Sequence, residues 1–122
     1  MSFNIRKKGL ARIKNYESCK CSQGHIHHSR GEAGWCNNLE LRVRAGDIQS
    51  YEGQKRFDFV VNGKKICSHI PDFFVTGADG SVWVEEFKGF EADVWKLKKK
   101  MFAAFFPDIR YVVIKPSGKV KR

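Results

Sequence analysis

A single α/β domain is predicted, ordered helix, three strands, helix, strand, with a mixed central sheet flanked by helices. Three observations carry this reading. A capping box at Ser29 opens an apolar stripe at helical spacing. Two hairpin signals follow, at Asn62-Gly63 and at Ala78-Asp79-Gly80. A second helical stripe then stops before Pro107 and is succeeded by one more apolar run. A chain of 122 residues can enclose one core and not two.

Residues 1–18 read as a basic, loosely ordered arm, and residues 19–28 as a Cys/His-rich loop. The core is expected over residues 29–115. Its first helix starts with Ser29 at the N-cap and Glu32 at the third helical position, and Gly46 stops it after Ala45. Cys36, Leu39 and Val43 form its apolar stripe, and Glu32 lies on the same stripe one turn before Cys36. Asp47 to Gln54 is a connection with some strand character. Lys55 to Val61 reads as a strand, turned by Asn62-Gly63 into a return strand from Lys64 to Thr76. Pro71 within it calls for an edge position or a bulge, because proline cannot donate a ladder hydrogen bond. Ser81 to Lys88 is the third strand. Both its faces are apolar, so cover is expected on both sides of the sheet.

The second helix is expected from Glu91 to Phe106, burying Val94, Leu97, Met101, Ala104 and Phe105. Tyr111 to Lys115 is the last strand, and residues 116–122 form a basic tail.

The turn sets a register. With Gly80 in the left-handed position of a three-residue loop, Gly77 pairs with Ser81 and Asp72 lies directly opposite Glu86. Alternation then puts Asp72 on one face with Val82, Val84, Glu86 and Lys88, while Glu85 points the other way. Opposed side chains sit about 5 Å apart, and like charges there repel. A metal ion or a raised carboxyl pKa would offset the repulsion. A buried Asp, Glu and Lys without a role is a costly arrangement. The competing reading of Glu32 is a capping-box residue alone.

The net charge is +10, from 23 basic and 13 acidic residues. The basic residues cluster, which favours a polyanionic partner with nucleic acid as the first expectation. Lys96, Lys98, Lys99 and Lys100 on the second helix are candidate phosphate contacts, with Gln54 a weaker one. No base-reading or stacking motif stands out, so backbone contact with little sequence specificity is expected. No apolar run reaches membrane-spanning length, and Met1 to Lys14 lacks the apolar stretch of a secretory signal. A cytoplasmic protein is expected.

Cys19, Cys21, His25, His27, His28 and Cys36 supply six soft or borderline ligands in a short segment. Zinc takes four. The preferred set is Cys21, His25, His27 and Cys36, with Cys19 and His28 as substitutes. Cys36 faces the sheet, so the loop must fold over the helix start to reach it. If Cys36 packs in the core instead, Cys19, Cys21, His25 and His27 remain. The competing reading is a solvated loop with incidental thiols. Zinc held there would be structural, steadying the approach to Glu32, because a filled shell leaves no open position.

Glu32, Pro71-Asp72 and Glu86-Phe87-Lys88, in this element order, resemble the PD-(D/E)xK nuclease superfamily with its restriction-endonuclease-like αβββαβ core. More narrowly, Gly24-His25, Ser29-Arg30-Gly31-Glu32, Ser68-His69-Ile70-Pro71-Asp72-Phe73 and Glu85-Glu86-Phe87-Lys88-Gly89 resemble a small phage and prophage family of uncharacterised nuclease-like proteins. The resemblance implies a Mg²⁺- or Mn²⁺-dependent endonuclease acting on DNA, with Asp72, Glu86 and Glu32 as metal ligands. Lys88 would position or deprotonate water or neutralise the transition state. It further implies activity on branched or junction DNA in phage recombination or repair, and a homodimer, with Trp83 and Phe87 as a dimer face if no helix covers them. Two other functions remain compatible with the residues. One is a catalytically inactive, zinc-containing nucleic-acid-binding module; the other is a phage protein that binds a host enzyme.

Overall fold

The computed structural model describes residues 20–27 and 29–121. The expected N-terminal arm, Cys19 and His28 lie outside them. Helix α1 spans Arg30–Arg44. Ser29 is its N-cap, and its hydroxyl accepts from the Glu32 N–H at 3.0 Å. That satisfies one of the orphan donors of the first turn. At the other end Gly46 takes φ +80°, and the N–H groups of Gly46 and Asp47 return to the carbonyls of Val43 and Arg42. Glu32, Ala33, Cys36 and Leu39 make the buried face.

Strand β1 is Ile48–Gly53, β2 Phe57–Val61, β3 Lys64–His69, β4 Phe73–Gly77 and β5 Val82–Phe87. Helix α2, Asp93–Phe105, then leads to β6, Arg110–Ile114, and to the two-residue strand β7, Val120–Lys121. The main sheet has the order β1-β4-β5-β6-β7. Only β5 and β6 run parallel, joined through α2; the other pairs are antiparallel. β2 and β3 form a separate two-stranded sheet.

Three expectations change here. The segment from Asp47 is a true strand at the edge of the main sheet. The long return strand is two strands in two sheets. β3 stays with β2, the chain changes sheet at Ile70-Pro71-Asp72, and β4 pairs with β1. A proline without an N–H ends one ladder, and the change of sheet happens there. The third change is at the C-terminus, where the expected tail turns through Gly118, at φ +84°, and pairs back onto β6.

The phase of α2 also differs. Val94 and Leu97 are 66% and 58% exposed, and Ala104 is exposed, whereas Trp95 and Phe102 are buried. The seven-residue spacing of Trp95 and Phe102 defines an alternative stripe about one residue away. It buries two large aromatics, each outweighing Val94 or Leu97 in apolar area. Phe102 meets Phe57 and Tyr111 edge-on, with ring centroids 4.9 and 5.2 Å away.

The sheet has cover on both sides, as its two apolar faces require. Under α1 lie Leu39, Ile48, Tyr51, Phe73 and Val75. Under α2 and the β2–β3 hairpin lie Phe57, Phe59, Val84, Tyr111 and Val113. Trp83 packs against the α1 cluster and Phe87 lies over Gly31 of α1, and both remain half-buried. Among the described residues no helix is long and apolar enough to cross a membrane.

Gly31 owes its identity to that packing, since a Cβ there would stand 2.2 Å from the Phe87 ring. Gly31→Ala is expected to destabilise the fold by about 1–3 kcal/mol through overpacking. Gly34→Ala, three residues on in the same helix with open space around it, should stabilise by about 0.5–1 kcal/mol. Urea unfolding of the two variants checks the contrast, and equal effects would remove the packing argument.

Candidate active site and metal centre

The turn between β4 and β5 sets the site. Gly80 has φ +86°, and the Gly77 N–H donates to Ser81 at 2.7 Å. The ladder pairs Thr76 with Val82 and Phe73 with Glu85, and the next pair in this register is Asp72 with Glu86. The expected register is therefore the observed one.

Alternation along β5 then separates two adjacent glutamates. Glu85 faces α1 and is held by four donor contacts. The Trp35 and Trp83 indoles donate at 2.8 and 2.7 Å, and one Arg42 nitrogen reaches both oxygens at 3.0 and 3.1 Å. Its hydrogen-bonding capacity and charge are met by structural partners. Glu86 faces α2 and is 5% exposed. Its Oε2 accepts from the Trp95 indole at 2.7 Å and from the Tyr111 hydroxyl. Both donors sit on one oxygen, Oε2.

Asp72 is anchored through one oxygen as well, since its Oδ2 accepts from the Phe87 N–H at 2.9 Å. Glu32 approaches it from α1, close enough for its charge to raise the Asp72 pKa. The three carboxyl groups thus converge on one end of the sheet. Burial pushes the Asp72 carboxyl up to about 9, the negative neighbours Glu32 and Glu86 add to the rise, and the Phe87 N–H opposes it. Burial raises Glu86 too, partly offset by Tyr111, Trp95 and Lys88. Lys88 lies on the same face as Glu86, with its ammonium 5.4 Å from the centre of the Trp95 ring.

Sequence reasoning passed over Trp95 and Tyr111 as holders of Glu86. Each has an apolar body with a polar tip, which buried settings usually pair. The signal was present in the two-residue period of β6, where Tyr111 pairs with Val84 and Val113 with Glu86. His69 completes the network, with Nε2 2.7 Å from the Tyr111 hydroxyl. Burial, with Lys98 and Lys88 nearby, pushes His69 down to about 4, so it is neutral at pH 7. Tyr111 donates to Glu86, so the neutral His69 ring donates to Tyr111.

A cleft of about 450 Å³ opens beside this cluster, lined by Ser68, His69, Glu86, Lys88, Trp95 and Lys98 among others. Of the lysines singled out on α2, Lys98 borders this cleft. Lys99 is half-buried over the Tyr111 ring rather than turned away, and Lys96 and Lys100 are exposed. Gln54 ends the β1 side of the site at φ +56°, with its N–H donating to the Asp72 carbonyl at 3.2 Å and its side chain exposed.

The second cluster lies at the start of α1. Cys21 to His25 is a tight turn, with the Cys21 N–H bonded to the His25 carbonyl at 2.9 Å and Gly24 at φ +82°. Lys20 and Ile26 bridge across it, and the Ser22 N–H donates to Asn37 of α1 at 2.6 Å. These contacts fold the loop over the helix start. Cys21, His25, His27 and Cys36 each bring one ligand atom to within 4.8 Å of the others. They are the preferred four of the six candidates. Two thiols and two imidazoles in such a group can hold a metal ion such as zinc. Burial pushes the Cys36 thiol up to about 12 and lowers His25 from its ordinary value. A cation among them would reverse the cost of the thiolate.

A mixed α/β fold with a carboxylate cluster and a Cys/His group thus defines the class. The chain belongs to the family described as a protein of unknown function (DUF1064), whose model matches residues 13–122. No curated protein and no solved structure matches it.

The raised Asp72 pKa predicts a pH dependence of stability in the presence of a chelator. The group stays protonated in the fold up to about 9 but ionises from its ordinary 3.8 in the unfolded chain. Unfolding then releases a proton between these values, so stability is highest below pH 3.8 for this group and falls as pH rises towards 9. Asp72→Asn should remove most of this slope and stabilise the chelated protein at pH 8 by on the order of 2–4 kcal/mol. Urea unfolding at several pH values measures it, and an unchanged slope in the variant would refute the assignment.

Proposed function

We propose that this protein is a metal-dependent nuclease that hydrolyses phosphodiester bonds in DNA. The convergence of Glu32, Asp72 and Glu86 beside Lys88 is the observation that carries the reading. With the β2–β3 hairpin set aside, the order α1, β1, β4, β5, α2, β6 is αβββαβ, which supports a restriction-endonuclease-like core. The net charge of +10 supports a polyanionic substrate.

The donor set fits a hard divalent cation. All three candidate ligands are carboxyl groups, and Asp72 and Glu86 are each anchored through one named oxygen, Oδ2 and Oε2. Asp72, Glu86 and Glu32 would hold Mg²⁺ or Mn²⁺, which when bound polarises the phosphodiester and lowers the pKa of water. Trp95 and Tyr111 fix the Glu86 carboxylate, so little reorganisation accompanies the reaction. The Lys88 ammonium, on the same face as Glu86, would offset charge building on a phosphate bound there. Lys98, across the cleft, supplies a second cation for the backbone. The Cys/His group fits zinc as a structural ion, with all four positions supplied by the protein.

Branched, single-stranded and duplex DNA should be cleaved with Mg²⁺ or Mn²⁺ in at least one of the three forms. Asp72→Ala and Lys88→Ala should each lower the rate on the order of 100-fold or more. Equal rates in all three proteins would remove the site assignment. Binding without cleavage of any substrate would favour an inactive nucleic-acid-binding module. Protein purified under reducing conditions without added metal should carry about one equivalent of zinc. Cys21→Ser and Cys36→Ser should each lose it, as metal analysis would show.

A further inference from the structure

The two clusters approach each other at His27 and Glu32. His27 Nδ1 lies 3.6 Å from Glu32 Oε1, with side-chain exposures of 0% and 5%. That distance is a few tenths of an ångström beyond a hydrogen bond. His27 belongs to the Cys/His group, and Glu32 belongs to the carboxylate group. They also share a scaffold, because Glu32 and Cys36 sit one turn apart on the buried face of α1. Cys36 is itself a member of the Cys/His group.

We propose that His27 is a positioning residue that couples metal occupancy of the Cys/His centre to hard-cation binding by Glu32, Asp72 and Glu86. The coupling runs through the tautomer of His27. An imidazole that ligates a metal through Nε2 must carry its proton on Nδ1. In His27 it is Nδ1 that lies 3.6 Å from the Glu32 carboxylate, so ligation through Nε2 would place the N–H on the nitrogen nearer Glu32. Metal-bound histidines typically donate their second N–H to such a carboxylate, and the pair orients both members. Here the carboxylate so oriented is the one that faces Asp72. Occupancy of the soft-ligand centre would therefore set Glu32 in place for the hard-ligand site. Without it, a neutral imidazole can carry its proton on either ring nitrogen. The coupling is reciprocal, as any linkage between two binding equilibria must be. It rests on the reading of the carboxylate cluster as a hard-cation site.

The test uses the full-length, zinc-loaded protein and titrates Mn²⁺ calorimetrically. His27→Cys keeps four zinc ligands but has no N–H to offer Glu32. The variant should retain zinc by metal analysis and bind Mn²⁺ about 10-fold or more weakly. Glu32→Gln should also weaken Mn²⁺ binding, and the double variant should be no weaker than Glu32→Gln alone. Wild-type Mn²⁺ affinity in His27→Cys, or losses that add in the double variant, would overturn the coupling while leaving the cation site standing. Failure of the wild type to bind Mn²⁺ would overturn the cation site and the coupling together. A spectroscopic measurement keeps the proposal testable if His27→Cys does not fold. With Co²⁺ in the Cys/His centre, saturating Mg²⁺ should shift the cobalt absorption bands of the wild type and not those of Glu32→Gln. Bands that ignore Mg²⁺ in the wild type, or shift equally in both proteins, would refute it.

Discussion

Burying carboxyl groups against one another is expensive, and this fold does so at one end of its sheet. Asp72 shows that cost, with burial and two acidic neighbours raising its carboxyl to about 9. The surrounding contacts spread that cost without removing it. One oxygen of Asp72 is tied to the backbone of β5, and one oxygen of Glu86 is tied to α2 and β6. These bonds anchor the carboxyl groups while leaving an oxygen of each directed elsewhere. A divalent cation is the simplest partner that would complete such an arrangement.

The contrast between Glu85 and Glu86 shows what the surroundings decide. The two are adjacent on one strand, and both are nearly fully buried. Glu85 meets an arginine and two indoles, which satisfy it as a structural carboxylate. Glu86 meets Trp95, Tyr111, Lys88 and two further acids, in a site that opens on a cleft. Chemical identity is the same on both faces. One glutamate is closed off by an arginine and two indoles, whereas the other borders the cleft.

Helix α1 ties the sheet to the N-terminal loop. Its buried face presents Ala33, Cys36 and Leu39 to the core and carries Glu32 at one end. The Cys21–His25 turn folds over the same end and is tethered there through Asn37. A loop of this size encloses little apolar area of its own, so a metal would contribute to its folding free energy. The helix therefore carries a carboxylate, Glu32, and a thiol, Cys36, one turn apart on one face.

Much of this was legible in the chain itself, because the signals are local. The Ser29 cap, the Gly46 stop, the Gly80 turn and the period of β5 together place Asp72 opposite Glu86 and Glu32 above the sheet. Each depends on backbone preferences within a few residues. The Cys/His grouping was readable from ligand type and proximity. Three features depended on tertiary structure. The break at Pro71 could have been an edge or a bulge, and only competition between two sheets made it a change of sheet. Two apolar stripes coexist on α2, and the aromatic cluster beneath it selected Trp95 and Phe102 over Val94 and Leu97. The meeting of His27 with Glu32 joins a loop to a helix, and neither segment specifies that approach alone. Sequence determined which groups can bear the chemistry and the local turns that aim them. Packing, which compares distant surfaces and buries the largest apolar area available, decided which of those groups meet.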